Sequence, residues 1–437
     1  MELTYIMRDA GIVGAGGAGF PSYAKLAGGA DTLLINGAEC EPLLYTDYVI
    51  LKNEPELVLE GIEAVLKELE IPKALLCIKE HTAKRLNLLD GERLSEKVCV
   101  KILGNVYPTG DEISLIHEAM GRIVQPGKLP ISVGIIVYNV ETMYNLGRHV
   151  RYGECVTKKW LTVGGNVAKP VVVKVPVGAK VSELFARLGI EIPDAHSVVD
   201  GGPSMGKIIN PSRATVTKTT KGLLILPDTS RAIEAKLINE KMAIARAETA
   251  CCQCTRCTDM CPRNLLGYPL EPHKMVRTAM GAAKVMPKMV INATLCCGCG
   301  ICESLACSQG ISPKAVINNY KVLLRENKIR YISEEEVKPA PERDFRRIPS
   351  QKWAEVLGVA RFDTVAEYIG EIKDFKYVEI PLSRHIGIPS IPNISDGDIV
   401  TEGEQIANAK DGLSVAQHAS ICGTARLLDD RIAITAD

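Results

Sequence analysis

The first 155 residues alternate short apolar runs with longer segments in which apolar side chains recur every three or four positions. The short runs suit buried strands, whereas the longer spacing is that of one face of a helix. Helices are indicated at 5–10 and 55–69. Strands are predicted at 32–36, 74–78, 98–103 and 133–138. Because strands that alternate with helices form parallel sheets, we predict a mostly parallel α/β domain over 1–155.

The pattern changes after residue 155, where short apolar runs surround one predicted helix at 181–188. The runs predict strands at 160–165, 171–175 and 223–226, and a glycine-rich turn lies at 200–206. Helical periodicity returns at 231–249 and 273–283, before a charged, proline-punctuated connector with a short helix and a final segment of short strands. We predict a multidomain α/β protein divided into 1–155, 156–230, 231–330, 331–375 and 376–437.

Composition and charge narrow the class of protein. The 437 residues are 46% hydrophobic and 24% charged, as in a folded protein with a buried core. The formal net charge of +0 gives no reason to expect a nucleic acid partner. No run approaches the roughly 18 apolar residues of a membrane span, and the first residues lack the pattern of a signal peptide. The cysteines are concentrated in one stretch, which favours reduced thiols, so a soluble intracellular protein is expected.

Eight cysteines form two runs whose spacing suits iron–sulfur clusters. The first run is Cys251, Cys254, Cys257 and Cys261, followed by Pro262. The second run is Cys296, Cys299, Cys302 and Cys307, with one extra residue before its last cysteine. In two-cluster ferredoxins the fourth cysteine of each run binds the other cluster. We therefore expect one [4Fe–4S] cluster on Cys251, Cys254, Cys257 and Cys307, and a second on Cys296, Cys299, Cys302 and Cys261.

Other uses of these cysteines fit the spacing less well. A structural zinc ion needs only four ligands and would leave the third cysteine of each run idle. Disulfides would need an oxidising compartment, which nothing else in the sequence indicates. Cys252 and Cys297 fit neither run and are expected to be spare.

A glycine-rich segment at 11–21 contains Gly14, Gly16 and Gly19 in the spacing G-x-G-x-x-G. A dinucleotide fingerprint should follow a strand and open a helix, but here a predicted helix precedes the segment and Pro21 ends it. The glycines still allow backbone N–H groups to approach a phosphate or a flat ring closely. The alternative is an ordinary flexible loop.

Polar motifs stand at the ends of three predicted strands. Asn36 and Glu39 end the first strand, the segment 107–112 follows the third, and Asn139 and Thr142 end the fourth. Each motif taken singly could be a turn or a solvated acidic face. Because the carboxyl ends of parallel strands meet at one edge of a sheet, the motifs together favour a ligand site.

The motifs GAGGAGFP, INGAECEP, YPTGDE and VYNVET resemble the flavin domain shared by the RnfC protein of the Rnf electron-transport complex and the flavoprotein of respiratory complex I. The resemblance implies bound FMN, access for NADH, and a catalytic site that includes Phe20, where the nicotinamide or adenine stacks, and Glu112. Ala38 stands where the complex I pattern has an acid. The implied FMN contacts are Gly14, Gly16, Gly17, Gly19, Lys25, Asn36, Glu39, Tyr107, Gly110, Asp111, Asn139 and Thr142.

The remaining segments extend the resemblance over nearly the whole chain. Residues 156–230 resemble the soluble-ligand-binding (SLBB) β-grasp domain of that family, for which a spacer role is an equal alternative. Residues 376–437 resemble a barrel-sandwich hybrid, but no lysine stands at the expected hairpin tip, where Asp411 and Gly412 follow Lys410, so docking is favoured over a carrier role. In RnfC this module precedes the flavin domain. Its position at the end of the chain is similar to that in the cobalamin reductases of propanediol-utilisation microcompartments.

The family resemblance implies electron transfer from NADH through FMN and two [4Fe–4S] clusters to cobalamin, because a flavin accepts a hydride and releases single electrons. Its implied partners are NADH, cobalamin or a cobalamin-bound protein such as an adenosyltransferase, and a microcompartment shell protein in the cytoplasm. One alternative is an RnfC-like protein that exchanges electrons with a protein partner or recycles NAD. Another is a cobalamin- or metal-binding module without electron flow.

We predict that the anaerobically purified protein contains about eight iron and about eight acid-labile sulfide, as two four-iron clusters require. Cys254→Ala and Cys299→Ala should each remove one cluster from the reduced-state EPR spectrum and weaken the other. Cys252→Ala and Cys297→Ala are the matched controls and should be nearly silent. Unchanged iron content in both of the first two variants would contradict the ligand assignment.

Overall fold

The fold is described from a computed structural model, over residues 2–26, 28–281, 287–332 and 336–436. The α-helices are α1 Glu2–Asp9, α2 Thr46–Asn53, α3 Pro55–Glu68, α4 Glu80–Leu86, α5 Glu112–Met120, α6 Val140–Tyr152, α7 Val181–Arg187, α8 Arg231–Leu237, α9 Glu240–Ala250, α10 Arg256–Asp259, α11 Pro262–Leu265, α12 Pro272–Ala279, α13 Pro287–Ile291, α14 Pro313–Glu326 and α15 Ser350–Val356. Short 3-10 turns lie at Ser22–Lys25, Pro130–Val133, Asn292–Leu295, Arg343–Arg346 and Ala360–Phe362.

The strands form five sheets. They are β1 Thr32–Gly37, β2 Ala74–Lys79, β3 Val98–Leu103, β4 Val106–Tyr107, β5 Ile135–Asn139, β6 Lys158–Gly165, β7 Val171–Pro176, β8 His196–Asp200, β9 Lys207–Ile209, β10 Gly222–Pro227, β11 Ile348–Pro349, β12 Glu367–Glu371, β13 Tyr377–Pro381, β14 Ile391–Pro392, β15 Ile399–Val400, β16 Gln405–Asn408, β17 Gln417–His418, β18 Gly423–Leu428 and β19 Arg431–Thr435.

The first domain contains a four-stranded sheet in the order β3-β2-β1-β5, and every neighbouring pair is parallel. The predicted parallel α/β class is confirmed. The fourth strand begins at Ile135 and not at residue 133, because a 3-10 turn closes at Gly134, whose φ of 74° is left-handed. The carboxyl ends of β1 and β5 lie side by side, with Asn36 paired to Asn139, so polar residues after these strands meet at one edge.

The second domain is built on a six-stranded sheet in the order β12-β7-β6-β10-β8-β9. The antiparallel hairpin β6–β7, the helix α7 and the strand β10, parallel to β6, give it the β-grasp pattern. The strand β12 comes from the predicted connector and joins the edge of this sheet parallel to β7. The connector also supplies β11, which pairs with β4 of the first domain. It is therefore part of two sheets as well as a link between domains.

The helical segment around the cysteines differs from the pattern in two places. The stretch 231–249 forms two helices, α8 and α9, because Asn239 interrupts it and caps the second helix by accepting a hydrogen bond from the N–H of Met242 at 3.0 Å. The helix predicted at 273–283 is α12, which begins at Pro272 and ends at Ala279. The last part of that prediction, 282–283, lies outside the described residues.

The C-terminal strands form two small sheets that pack against both preceding domains. Ile406, Ile432 and Ile434 share one hydrophobic core with strands of the β-grasp sheet. The Ala416 N–H donates to the Arg8 carbonyl at 3.1 Å, and the Tyr23 hydroxyl donates to the Gly412 carbonyl at 3.0 Å. The predicted hairpin tip is thus docked on the first domain. No helix in the described part of the chain is long and apolar enough to cross a membrane.

The helices α3 and α6 cross in direct backbone contact at Gly61 and Gly147. A Cβ added at Gly147 would overlap the Leu57 carbonyl, and one added at Gly61 would overlap the Met143 carbonyl. We predict that Gly147→Ala lowers the free energy of unfolding by about 1–3 kcal/mol, since the helices must separate although alanine favours helix locally. Gly104→Ala is the control, because an added Cβ there meets no atom within 4 Å. Equal thermal midpoints for the two variants would contradict this packing.

Candidate functional site

The glycine-rich loop follows α1 and presents an open edge of backbone. Gly16 and Gly17 are exposed. A Cβ added at Gly16 would meet only the Asn139 side chain, at 3.8 Å, and Gly17, with φ of 108°, has no atom within 4 Å of such a position. The N–H of Ala15 donates to the Thr142 hydroxyl at 3.1 Å, which fixes the loop beside the start of α6. The loop therefore offers free backbone surface next to the strand ends.

Hydrogen bonds join the three polar strand-end motifs. The Asn36 amide donates to the Gly110 carbonyl at 3.0 Å, and the Asn139 amide donates to the Asn36 carbonyl at 3.2 Å and to Asp47 at 2.8 Å. Gly110 has no room for a side chain, because an added Cβ would lie 2.5 Å from the Ala38 carbonyl oxygen. The structure thus brings these predicted site residues together in one place.

Lys25 and Glu112 form an ion pair beside the same strand ends. The Lys25 ammonium lies 2.6 Å from Glu112 Oε1 and also donates to the Val137 carbonyl at 2.9 Å. The side chains are 30% and 38% exposed, so the pair remains open to a ligand. Glu112 is the first residue of α5, which Asp111 caps by accepting from the Ser114 N–H at 3.2 Å.

Glu39 is the partly buried carboxyl of this site. Its Oε1 has no hydrogen-bond partner among the described residues, and its Oε2 accepts a long bond, 3.4 Å, from the Tyr48 N–H. Burial, reinforced by the charge of Asp47 and opposed by that of Lys221, raises the pKa of Glu39 to about 7. Lys221 is itself paired with Asp47 in the buried junction with the β-grasp domain. Glu39 therefore has one buried oxygen without a hydrogen-bond partner among the described residues.

These features fit FMN. The open glycine backbone suits a phosphate or a ring, Lys25 supplies a cation, and Glu39 and the asparagines supply polar groups at the strand ends. Phe20 is half-buried at the end of the loop. Gly19 has a different environment, since its φ is 66° and an added Cβ would lie 2.7 Å from Thr219 and 3.2 Å from the Arg384 carbonyl oxygen. A glycine is needed at position 19 because the β-grasp and C-terminal domains leave no room for a side chain there.

Tyr107 has its polar group directed elsewhere. Its buried hydroxyl donates to the Cys299 carbonyl at 2.7 Å, and its ring stacks on Trp353 with centroids 4.6 Å apart. Sequence reasoning missed Trp353, although the sequence contains only two tryptophans and this one stands in a charged connector. Asp111 is also shared, because it forms an ion pair with Arg263 at 2.7 Å. We call the glycine loop 14–19 with the strand-end residues Asn36, Glu39 and Asn139 the flavin cradle, and 251–307 the cysteine segment. The motif 107–112 therefore contacts both the flavin cradle and the cysteine segment.

The two cysteine runs enclose two separate cavities. Cys251, Cys254, Cys257 and Cys307 lie around the first cavity. Cys261, Cys296, Cys299 and Cys302 lie around the second. The fourth cysteine of each run thus lies with the other run, in the arrangement expected from the sequence. Cys252 is exposed beside the first cavity, and Cys297 lines the second.

The extra residue of the second run is accommodated by a π-helical turn over Cys302–Ala306. Such a turn contains one more residue than an α-helical turn. Cys307 can therefore face the first cavity although four residues, and not three, separate it from Cys302. The four run cysteines at each cavity, with Cys252 and Cys297 as additional neighbours, are the donor set of a cubane, so the residues fit two [4Fe–4S] clusters.

A turn at 200–206 joins several parts of the structure and was not predicted as a junction. The Glu41 carboxylate accepts from the N–H groups of Ser204 at 2.8 Å and Met205 at 3.1 Å. The ammonium groups of Lys236 and Lys314 donate to the Ser204 carbonyl at 3.0 and 3.1 Å. The Trp353 indole donates to the Ser204 hydroxyl at 2.9 Å. In the sequence, only the glycines of this turn and Glu41, in the motif INGAECEP, gave a signal for this junction.

Comparison with known proteins relates three parts of the chain to known domain families. Family models match the chain as a Nuo51 FMN-binding domain at 7–148, a 4Fe-4S dicluster domain at 250–312 and an RnfC barrel sandwich hybrid domain at 359–436. The cobalamin reductase PduS of Salmonella typhimurium is 36% identical over 98% of this chain and 95% of its own length. The protein of the same name from Citrobacter freundii is 36% identical over 95% of this chain and 92% of its own length. A component of the ion-translocating oxidoreductase complex from Rhodobacter capsulatus is 31% identical over 65% of this chain and 54% of its own length.

The raised pKa of Glu39 predicts a pH-dependent stability. The folded protein keeps this proton up to about pH 7, whereas the ordinary glutamate value is 4.5, so the free energy of unfolding falls as pH rises through that window. In the flavin-free protein, Glu39→Gln should flatten the profile by at most about 1.4 kcal/mol per pH unit. Urea unfolding at several pH values measures the slope of the free energy of unfolding against pH. The control is Glu96→Gln, at an exposed position. An unchanged slope in Glu39→Gln would contradict the burial of this carboxyl.

Proposed function

Since the chain belongs to the family of the cobalamin reductase PduS, we propose that it passes electrons from NADH through FMN and two [4Fe–4S] clusters to cobalamin. The chain is an oxidoreductase of the iron–sulfur flavoprotein type, as its FMN-binding and dicluster matches indicate. A flavin accepts a hydride and releases single electrons, which clusters accept one at a time.

The observation that supports this route is the double contact of the motif 107–112. At one end of the motif, Tyr107 is bonded to the loop of the second cysteine run. At the other, Gly110 is bonded to Asn36 and Glu112 to Lys25 in the glycine-loop cradle. A bound flavin and the second set of thiols would therefore be held by the same short segment, as electron transfer between them requires.

Residues of this chain have distinct tasks in the proposed reaction. The glycine loop and Lys25 hold the flavin, with Asn36, Asn139 and Thr142 fixing the loop and strand ends around it. Phe20 stacks with the nicotinamide or adenine of NADH. Glu112 neutralises Lys25 and keeps its ammonium in place until a ligand contacts it. Glu39 can hold a proton near neutral pH, because burial raises its pKa to about 7.

The final acceptor is proposed as cobalamin, free or held by a partner such as an adenosyltransferase. A position inside a bacterial microcompartment and contact with a shell protein remain predictions of the family resemblance. The second candidate is an RnfC-like protein that delivers electrons to another protein, which the 31% identity with the component of the ion-translocating complex favours. Reduction of cob(III)alamin by NADH with the purified chain alone would support the first function, and its absence the second.

Gly16→Val tests the flavin site. Because an added Cβ at Gly16 meets only Asn139 at ordinary contact distance, the substitution should leave the flavin-free chain folded. A branched side chain in the open loop should instead exclude the flavin, so the FMN content should fall at least about tenfold. Flavin absorbance after purification measures this, with Gly104→Val as control. Full flavin content in Gly16→Val would place FMN elsewhere.

Cys257→Ala separates the two halves of the electron route. Stopped-flow absorbance should show NADH bleaching the flavin at the parent rate, whereas reduction of cob(III)alamin should be lost. Hydride transfer needs only contact with the flavin, but onward transfer needs the clusters. Parent-rate reduction of cob(III)alamin by this variant would mean that the clusters lie off the route.

A further inference from the structure

The side chain of Tyr107 is fixed on three sides at the boundary between the flavin cradle and the cysteine segment. It is 3% exposed, and its hydroxyl donates to the Cys299 carbonyl at 2.7 Å. Its backbone pairs with Ile348 in the short sheet β4–β11. Its ring lies against Trp353 with an interplanar angle of 13°. The Tyr107 side chain is therefore held in one position, in which its hydroxyl is hydrogen-bonded to the loop of the second cysteine run.

Trp353 fixes the ring from the other side. It is 0% exposed, and its indole N–H donates to the Ser204 hydroxyl at 2.9 Å. The Ser204 turn is itself bound by Glu41, Lys236 and Lys314. Neither ring can turn without breaking a buried hydrogen bond, and a buried donor that loses its partner destabilises the fold.

A second contact joins the same two parts of the molecule. Asp111 forms a largely buried ion pair with Arg263, which stands two residues after Cys261. Cys261 and Cys299 both line the second cavity, so the motif 107–112 reaches that cavity from two directions. In the described chain, no hydrogen bond or ion pair joins 251–257 or 306–309, around the first cavity, to the flavin domain. Cys254 of that first cavity is exposed.

We propose that the cluster on Cys261, Cys296, Cys299 and Cys302 is the first to receive electrons from the flavin, and that Tyr107, braced by Trp353, is the positioning residue that couples them. NADH is oxidised to NAD⁺, and its hydride supplies two electrons and one proton, which is released to solvent. The electrons leave one at a time through this entry cluster, then through the cluster on Cys251, Cys254, Cys257 and Cys307, and reduce a one-electron acceptor twice. This inference rests on the proposed function.

The order of the clusters is tested with Cys254→Ala and Cys299→Ala, each of which removes one cluster. In Cys254→Ala, NADH should still reduce the remaining cluster, as seen by freeze-quench EPR. In Cys299→Ala, the remaining cluster should stay oxidised with NADH but become reduced with dithionite, which reports that it is present. Cluster reduction by NADH in Cys299→Ala and not in Cys254→Ala would reverse the order and overturn the proposal.

The coupling role is tested with Tyr107→Phe against Tyr138→Phe. Both remove a buried hydroxyl that donates to a backbone carbonyl at 2.7 Å, but the Tyr138 bond goes to Ser22 in the flavin domain. In Tyr107→Phe, the midpoint potential of the cluster that includes Cys299 should become more negative. The substitution removes a hydrogen-bond donor that stabilises the added negative charge of the reduced cluster. The rate of its reduction should fall several-fold, while iron and FMN contents stay at parent values. Tyr138→Phe should leave the potentials of both clusters unchanged.

Trp353→Phe provides a second variant that keeps an aromatic ring beside Tyr107 but loses the bond to Ser204. It should slow cluster reduction in the same direction as Tyr107→Phe. Parent potentials and rates in both Tyr107→Phe and Trp353→Phe would overturn the positioning role. If NADH failed to reduce the flavin in the parent protein, the proposed function would be wrong, and photoreduction of the flavin would still test the coupling by the same EPR signals.

Discussion

The turn at 200–206 is the contact on which the relative positions of the domains depend. The carboxylate of Glu41, from the flavin domain, binds two of its N–H groups, and Lys236 and Lys314, from the cysteine segment, bind its Ser204 carbonyl. Burial raises the pKa of Glu41 and lowers that of Lys236 to about 8, the latter helped by the charge of Lys314. Removing one partner would leave the others buried and unpaired, so the cluster of charges fixes the three parts together.

A second set of buried charges joins the β-grasp domain to the cradle. Lys221 pairs with Asp47, and Lys159 with Glu141, at side-chain exposures of 8% or less. Asp47 also accepts from the Asn139 amide, so the pairing reaches the strand ends where the flavin is expected. These contacts favour the spacer role considered for the β-grasp domain. Because the β-grasp domain holds residues of the flavin domain in place through these ion pairs, its spacer role does not require a ligand of its own.

The C-terminal domain likewise packs against the β-grasp and flavin domains and helps to hold them in position. Its strands share a core with the β-grasp sheet, its hairpin tip at Gly412 is bonded to Tyr23, and its Ile386 N–H donates to the Gly19 carbonyl at 2.9 Å. A carrier hairpin must be free to move, whereas this one is bonded to the flavin domain. The position of the module after the other domains is compatible with this docking, because its hairpin lies beside α1, where Arg8 bonds to the Ala409 and Lys410 carbonyls.

The sequence alone determined the features that depend on local pattern. Periodicity indicated the parallel sheet, cysteine spacing indicated two groups of four cysteines in which the fourth members are exchanged, and glycine content indicated the open loop. The choice of which polar side chains contact the flavin cradle and which hold the domain boundaries depends on how the domains pack together. Tyr107 and Glu41 stand in motifs of the flavin domain, yet their partners are Cys299 and Ser204, 192 and 163 residues away. Trp353 finds its partner across 149 residues. Such pairs leave no periodic signal in a single sequence, because burial of both members arises only when the folded domains meet.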